Sequence, residues 1–293
     1  MKIVKKIAKI TGIIILSVLF IILGVVTYSY VDISNRKDKT YTITPEPIHV
    51  SYDSATVALG QRLSLTRACG ECHGADFGGN VLHDDAMVGR LVAKNITKGE
   101  GGLPADFSEK DWVMAMKHGL DRNGKPLYLM PSHELSQLTE GDMAALIAYM
   151  SQVPKVDRKP VETRIGPLGY VLTEFGMIPL LPAELTDHTL PFSKPIMKEV
   201  SVEYGKYVAS ICINCHGENF KGGESPVPGG KYVADISSTG NPGKWTTEEF
   251  ITALHTGVTP EGKQLNPQEM PWTITKNFTK EELAALHLYL KTL

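Results

Sequence analysis

The feature that most constrains this chain is a repeated unit of roughly 100 residues that contains all four of its cysteines. The pattern Cys-x-x-Cys-His occupies residues 69–73 in the first copy and 212–216 in the second. Two helical patterns follow in each copy, and all four begin with Ser or Thr and carry an acid three residues later, the capping-box pattern. The caps and acids are Ser108 and Asp111, Thr139 and Asp142, Thr246 and Glu249, and Thr279 and Glu282. The sequence therefore predicts two copies of one compact helical domain.

A short helical segment with a glycine, Gly60 or Gly205, precedes each cysteine motif. A glycine inside a helix costs about 1 kcal/mol relative to alanine, which favours a position where another backbone comes close. The last helix of each copy, which carries Tyr149 or Tyr289, is the natural neighbour. An incidental glycine near a fraying helix end explains the pattern equally well.

Four chemistries use cysteines at this spacing: a disulfide, half of a zinc site, a thiol redox centre and covalent haem attachment. A disulfide within Cys-x-x-Cys closes a small strained loop and leaves both histidines unexplained. Zinc ligand pairs normally lie much closer together than the two motifs do. A thioredoxin-like centre needs a βαβ context, which the helical pattern lacks. Cys-x-x-Cys-His is the signal for c-type haem, because two thiols add to the porphyrin edge while the next imidazole ligates iron.

The sequence thus predicts two covalently attached haem c groups. Cys69, Cys72, Cys212 and Cys215 are the predicted attachment residues, and His73 and His216 the predicted iron ligands.

A methionine is the expected sixth iron ligand of an electron carrier with a high potential, since a thioether stabilises ferrous iron. Met130 and Met270 each precede a proline, which favours an extended loop, and each lies nine residues before a helix cap. We predict that these two residues are the axial ligands. Met114, Met116, Met143 and Met150 lie in helical patterns and are predicted to be core. Among the other histidines, His133 is the best rival because it lies three residues from Met130.

The N-terminus predicts a membrane anchor. Ile10–Val31 is a 22-residue stretch without Asp, Glu, Lys or Arg, long enough as a helix to cross the hydrocarbon core. Four lysines precede it and are expected to hold the N-terminus in the cytoplasm. A cleaved signal peptide is the alternative, but its apolar region is usually shorter and ends at an Ala-x-Ala-like site.

Charge indicates no nucleic-acid partner, because the net charge is −2 and no basic stripe is present. Residues 32–52 are polar and contain prolines, which is typical of a tether. Residues 156–198 carry apolar clusters broken by prolines and are expected to be a packed connector, with a docking surface for a partner or the membrane as the alternative. The glycine-rich residues 221–232 are expected to form a flexible loop near a haem edge.

Several motifs together resemble the class I cytochrome c domain. They are "CGECHG", "AKNIT", "DWVMAMKHGLDRNGKPLYLMPS" and "LTEGDMAALIAYM" in the first copy, and "CINCHG", "WTTEEFITALHTGV" and "EMPW" in the second. The span 55–293 is similar to membrane-associated di-haem cytochromes related to the cytochrome subunits of bacterial alcohol and sugar-acid dehydrogenases. The resemblance implies an all-α fold, His/Met ligation and electron transfer rather than substrate chemistry. It also implies that Asn95 lies by the haem, whereas the second copy has "ADISS" at that place.

These observations predict an anchor at 1–31, a tether at 32–52, cytochrome c domains at 53–155 and 199–293, and a connector at 156–198. The expected function is single-electron transfer in a membrane-associated respiratory chain on the periplasmic side of the inner membrane, between a dehydrogenase or quinol-oxidising complex and a downstream acceptor or oxidase. Redox proteins, a dehydrogenase or a terminal oxidase, are the expected partners. The rival functions are a di-haem peroxidase, which needs an open iron position, and a fixed subunit of an oxidoreductase complex.

Overall fold

The structure, a computed structural model, describes residues 2–225 and 230–293 and is mainly helical. Its helices are α1 (Lys2–Asp38), α2 (Ser54–Thr66), α3 (Cys69–His73), α4 (Glu109–His118), α5 (Ser132–Leu135), α6 (Glu140–Met150), α7 (Pro167–Glu174), α8 (Val202–Val208), α9 (Ile213–His216), α10 (Thr247–Thr256), α11 (Trp272–Thr275) and α12 (Lys280–Leu290). The strands are β1 (Asn80–Asp85), β2 (Gly89–Ala93) and β3 (Arg164–Ile165), and 3₁₀ turns lie at Pro182–Leu185, Ala209–Cys212 and Pro242–Lys244. Part of the predicted loop 221–232, residues 226–229, lies outside the described residues.

Two helical units, unit 1 (α2 to α6) and unit 2 (α8 to α12), repeat the same packing, as the sequence predicts. In unit 1, α2 packs on α6, and in unit 2, α8 packs on α12. A Cβ atom on Gly60 would lie 1.9 Å from the Ala145 carbonyl oxygen, and one on Gly205 would lie 1.9 Å from that of Ala285. The predicted close approach at both glycines is therefore confirmed, because only glycine lets the two helix backbones touch.

The helix caps follow the prediction with one difference. Complete capping boxes begin α4, α10 and α12. At α6, Thr139 accepts a bond from the Asp142 backbone N–H, but the Asp142 carboxylate accepts bonds from Lys198 Nζ and Tyr207 Oη, both at 2.7 Å. These partners lie beyond unit 1, so the contact between the units takes the carboxylate away from its own helix.

Each unit has its own apolar core. The unit 1 core centres on α6 and the unit 2 core on α12. The four methionines predicted to be core are buried: Met114, Met116, Met143 and Met150. The architecture is thus two tandem helical domains after a long apolar helix.

A small antiparallel sheet in the order β1-β2-β3 was not predicted. The strands β1 and β2 form a hairpin after the first motif, with Val81 opposite Val92. The third strand has two residues and comes from the connector, where Ile165 pairs with Gly89. Strands this short carry little periodicity in the sequence, and β3 forms by pairing with residues far along the chain.

The segments flanking unit 1 pack on it. The connector residues Leu180 and Leu181 are buried with Ile33 of α1, which continues beyond the apolar stretch to Asp38. Within residues 32–52, the Tyr41 N–H donates to the Gly124 carbonyl at 2.9 Å. Among the described helices, α1 is the one with the length and composition to cross a membrane.

Candidate haem attachment sites

A short helical turn presents each cysteine motif. Cys69 and Cys72 lie three residues apart on α3, so their thiols share one face of the turn. Cys212 and Cys215 are arranged in the same way where a 3₁₀ turn leads into α9. All four are free thiols, the first of each pair half-buried and the second exposed. Neither pair is a disulfide, and both present two thiols to a single neighbouring group.

Burial raises the pKa of the Cys69 thiol to about 12, and burial does the same to Cys212. The pKa values of Cys72 and Cys215 are also raised, again through burial. Cysteines of thiol redox centres have lowered pKa values, because the thiolate is the nucleophile. The surroundings of these thiols are therefore unlike those of a redox-active Cys-x-x-Cys.

Both motif histidines are held in one orientation. Nδ1 of His73 donates to the Lys94 carbonyl oxygen at 2.8 Å, and Nδ1 of His216 donates to that of Ala234 at the same distance. Burial lowers the pKa of each imidazole, so the neutral form is favoured. Because the proton lies on Nδ1, Nε2 carries a free lone pair, as an iron-ligating histidine requires.

Met130 and Met270 lie in matching backbone positions. Each precedes a proline that begins a one-turn helix, and Pro131 and Pro271 have nearly the same ψ, 60° and 64°. Met130 packs against the core cluster that Cys69 also contacts, and Met270 against the cluster of the second motif. The structure therefore brings each predicted methionine to the same core as the cysteine motif of its own unit.

Most of the rival histidines have other partners. His83 pairs with Asp85, His118 with His188, His255 with the Phe278 carbonyl and His287 with the Pro242 carbonyl. His133 lies in α5 and has a buried Nδ1 without a hydrogen-bond partner among the described residues. Met130 and Met270 occupy equivalent places in the two units, whereas the second unit has Thr273 in the place of His133.

Among the other buried side-chain atoms without a partner in the described residues, two are donors in the unit 1 core or beside the first motif. They are Trp112 Nε1, in the unit 1 core, and Arg67 Nε, two residues before Cys69. A buried donor without an acceptor is costly, so each fits a site that supplies an acceptor such as the carboxylate of a haem. Free thiol pairs, Nε2 lone pairs, a thioether in each core and these donors together fit covalently held haem c.

The Asn95 turn is present in both units, although the residue differs. Asn95 is buried, its Oδ1 accepts from the Thr97 N–H at 2.9 Å, and its Nδ2 donates to the Val156 carbonyl at 2.7 Å. In unit 2, Asp235 accepts from the Ser237 N–H at 2.8 Å. The same turn thus follows the carbonyl that binds each motif histidine.

Residues next to the two cysteine motifs meet across the contact between the units. Arg67 Nη1 donates to Ser210 Oγ at 2.9 Å, and the Arg67 guanidinium lies 5.6 Å from the centre of the Tyr207 ring. Asn214, between the second pair of cysteines, donates to Glu134 of α5, the helix that follows Met130. The attachment edge of unit 2 therefore contacts both the motif and the methionine side of unit 1.

The contact has approximate two-fold character. Arg62 and Tyr207 occupy equivalent places, each two residues after the helix glycine of its unit. Arg62 Nη1 donates to Glu282 of unit 2 at 2.7 and 2.8 Å, while Tyr207 donates to Asp142 of unit 1. Asp142 and Glu282 are in turn the equivalent acids of α6 and α12, so each unit offers the same surface to the other.

Sequence reasoning missed these contact residues. The other unit has Ser210, Ile274 and Glu71 at the positions of Arg67, Glu134 and Asn214, so the repeat gives no sign of these contacts. A polar residue inside or beside a haem motif that its copy lacks is the signal that could have identified them.

Comparison with known proteins assigns both units. The sequence profile of the cytochrome c family matches residues 57–154 and 202–293, which together are more than half of the chain. The chain is 26% identical over 126 residues to the fructose dehydrogenase cytochrome subunit of Gluconobacter japonicus, covering 41% of this chain and 26% of that protein. It is 32% identical over 102 residues to the gluconate 2-dehydrogenase cytochrome c subunit of Pantoea cypripedii, covering 33% of this chain and 23% of that protein.

A longer alignment involves a nicotinate dehydrogenase subunit of Pseudomonas putida, with 24% identity over 275 residues, 86% of this chain and 22% of that protein. The aligned parts thus span about a quarter of the length of these relatives. The family match implies covalently bound haem c and electron transfer rather than substrate chemistry. With two matched domains in the places where the structure has its two helical units, the chain belongs to the cytochrome c family.

Proposed function

We propose that the protein carries two haem c groups and passes single electrons from one to the other outside the cytoplasm. The observation that carries this proposal is the contact between the residues just before the two cysteine motifs, where Arg67 bonds to Ser210 and lies over Tyr207. Electron transfer between cofactors requires that their edges approach, and this contact places the starts of the two attachment turns on either side of one hydrogen bond.

The residues have separate tasks in this proposal. Cys69 and Cys72 hold one haem covalently, and Cys212 and Cys215 hold the other. His73 and His216 offer Nε2 to the irons because the carbonyls of Lys94 and Ala234 fix the proton on Nδ1. Met130 and Met270 would supply the second protein ligand of each iron through their thioether sulfurs.

Bound haem c supplies an iron that alternates between ferric and ferrous states by one electron. The apolar cores around the methionines exclude water, which favours the ferrous form. Domain limits at 53–155 and 199–293 belong to the same proposal.

The proposed location is the inner membrane, with α1 as a single span, the N-terminal lysines in the cytoplasm and both units on the periplasmic side. The apolar face of α1 supports this, because its most apolar part is not buried by the rest of the chain. The names of the relatives favour a dehydrogenase as electron donor, and an oxidase or another cytochrome as acceptor completes the chain.

Haem content tests the proposal. The full chain in detergent should show two covalent haems by intact mass and pyridine haemochrome. Replacing Cys69 and Cys72 by alanine should remove one haem, and the matched change of Cys212 and Cys215 should remove the other. One haem, or haem that an organic extraction removes from the wild type, would contradict it.

A substitution of Arg67 tests the proposed electron exchange between the two haems. Arg67→Met keeps the stem of the side chain and removes the bond to Ser210, so electron exchange between the haems should slow while each haem keeps its ligands. Laser-flash reduction of the holoprotein measures the rate, and the absorption spectrum reports the ligands. An unchanged rate would show that this contact does not carry the exchange. Copurification from detergent extracts would identify the partner.

A further inference from the structure

The connector packs on the membrane helix as well as on unit 1. Helix α7 contacts α1, and the rings of Tyr30 and Tyr170 meet edge to face with centres 5.1 Å apart. Ile33 is fully buried beside the connector, and so is Ser29. The end of α1 and the connector thus form one packed body.

The contact reaches inside the stretch that would cross the membrane. A span needs about 20 apolar residues, which from Ile10 ends at Ser29. Phe175, just after α7, lines a cavity of about 350 Å³ together with Gly24, Val25 and Tyr28. Phe175 therefore lies at the level of the last turns of the span, within about 7 Å of its end at 1.5 Å per residue.

The connector surface at this level is apolar and exposed. Phe175 is 67% exposed and Met177 is 50% exposed. Between residues 165 and 183 the chain contains a single acidic or basic residue, Glu174. Tyr28 and Tyr30 of α1 are also exposed there, where aromatic side chains prefer the membrane–water interface.

The one acidic residue in the segment lies near a cation, although its Oε2 has no hydrogen-bond partner among the described residues. Arg36 Nη1 lies 3.6 Å from the Glu174 carboxylate and 3.1 Å from Asp32, and Arg36 Nε donates to Glu184 at 3.0 Å. Arg36 and Asp32 lie on the last turns of α1, beyond its apolar stretch. The pairing lowers the cost of placing Glu174 beside the bilayer, and it fastens the connector to the helix.

We propose that residues 165–178, here called the foot, insert into the outer interface of the lipid bilayer beside α1. This inference depends on the proposal that α1 spans the membrane. Lipid is the occupant that the geometry favours, because the exposed apolar side chains are continuous with the lipid-facing surface of α1 and lie at its depth. An apolar surface that served another purpose in water would not need to lie at the depth of the membrane span.

The foot fixes unit 1 at the membrane. The Leu129 N–H donates to the Leu180 carbonyl at 3.0 Å, so the connector that enters the bilayer also holds the loop before Met130. Unit 1 then sits on the membrane surface at a fixed height, instead of moving at the end of a flexible tether.

Photolabelling from the lipid phase tests the foot. The full-length holoprotein is reconstituted in phosphatidylcholine vesicles that contain a phospholipid with a photoreactive acyl chain, and labelled peptides are mapped by mass spectrometry. We expect labels in both α1 and residues 165–178. Replacing Phe175 and Met177 by serine should remove the foot labels and leave those in α1. The matched control is Tyr232→Ser, a 76% exposed side chain of unit 2, which should change neither.

Each other outcome has a definite meaning. Labels in α1 with none in the foot would overturn this inference while leaving the membrane span intact. Absence of label from α1 would refute the span and the foot together. An unlabelled foot in a protein that chemical crosslinking shows to be dimeric would assign the surface to a second copy of the chain, which also overturns the inference.

Discussion

The two units share one fold but differ in what covers the loop before the methionine. In unit 1, residues 119–131 lie under the connector, and Ser132 Oγ and Thr186 Oγ1 are hydrogen bonded at 2.8 Å. Between residues 121 and 130, Arg122 and Asn123 are the exposed positions. In unit 2, residues 261–264 and 266–269 are all exposed. The same module is therefore enclosed in one place and open to solvent in the other.

This difference shows that the segments outside the repeat, the connector and residues 39–50, determine how far each site is exposed to solvent. Unit 1 is packed by the connector and by residues 39–50, whereas the corresponding side of unit 2 is available to a partner. We expect unit 2 to exchange electrons with soluble or bound proteins, and unit 1 to be the protected site near the membrane.

Removal of a proposed axial methionine should have the largest effect. Axial ligands tune haem potentials over about 0.8 V, so Met130→Ala and Met270→Ala should each lower one potential by on the order of 100 mV. Each should also abolish the far-red sulfur-to-iron band of one haem. Spectroelectrochemistry of the holoprotein measures both, with the exposed Met177→Leu as control.

The same variants test the difference in cover. Added imidazole should reach the open iron position faster in Met270→Ala than in Met130→Ala, because the unit 2 loop is exposed. Equal binding rates would show that the two loops do not differ in how well they shield the iron. An unchanged potential and far-red band in either variant would show that its methionine is not a ligand.

The sequence predicts well what the repeat encodes twice. Close helix packing at Gly60 and Gly205 and most of the caps follow from local patterns that occur in both copies. The strand β3 and the contacts of Arg67 depend on residues that are distant in the chain and unlike in the two copies, so no local pattern reveals them. The backbone carbonyls that orient His73 and His216 are also invisible, because every residue has a carbonyl.

Replacing the glycine where two helices cross should destabilise the two units to a similar extent. Gly60→Ala and Gly205→Ala each place a Cβ 1.9 Å from a backbone oxygen, and backbone must move to relieve it. We expect each to lower the free energy of unfolding by about 3 kcal/mol, as measured by chemical denaturation. Gly141→Ala, where nothing lies within 4 Å of the new atom, is the control and should be neutral or stabilising. A mild effect in one unit alone would show that the two crossings differ in tightness.

Acid should weaken unit 1 more than unit 2, although burial also lowers the pKa of His287, which lies against α10 of unit 2. Burial, aided by the Lys117 charge, lowers the pKa of His118 to about 4, and its Nδ1 lies 3.1 Å from that of His188. The unfolded chain binds a proton below pH 6.5 and the native chain only near 4, so stability is lost as the pH falls between these values. The expected loss is up to about 1.4 kcal/mol per pH unit. The equivalent residue of unit 2 is Thr256, which does not titrate.

Hydrogen exchange of α4 and α10 at pH 7 and pH 5 measures this effect separately in each unit. Protection of α4 should fall more than that of α10. His118→Gln cannot be protonated, so it should remove the difference; a difference that persists in this variant would assign the acid response to other groups.

The smallest expected effect is the difference between the potentials of the two proposed haems. The ferric site carries one more positive charge than the ferrous site, and an enclosed apolar surrounding disfavours that charge more than an exposed one does. Unit 1 should therefore have the higher potential, by on the order of 50 mV, and electrons should pass from unit 2 to unit 1. Redox titration of the wild type gives both values, and the methionine variants assign each to its unit. Equal potentials, or a higher one in unit 2, would show that the cover over the methionine loop does not set the direction of transfer.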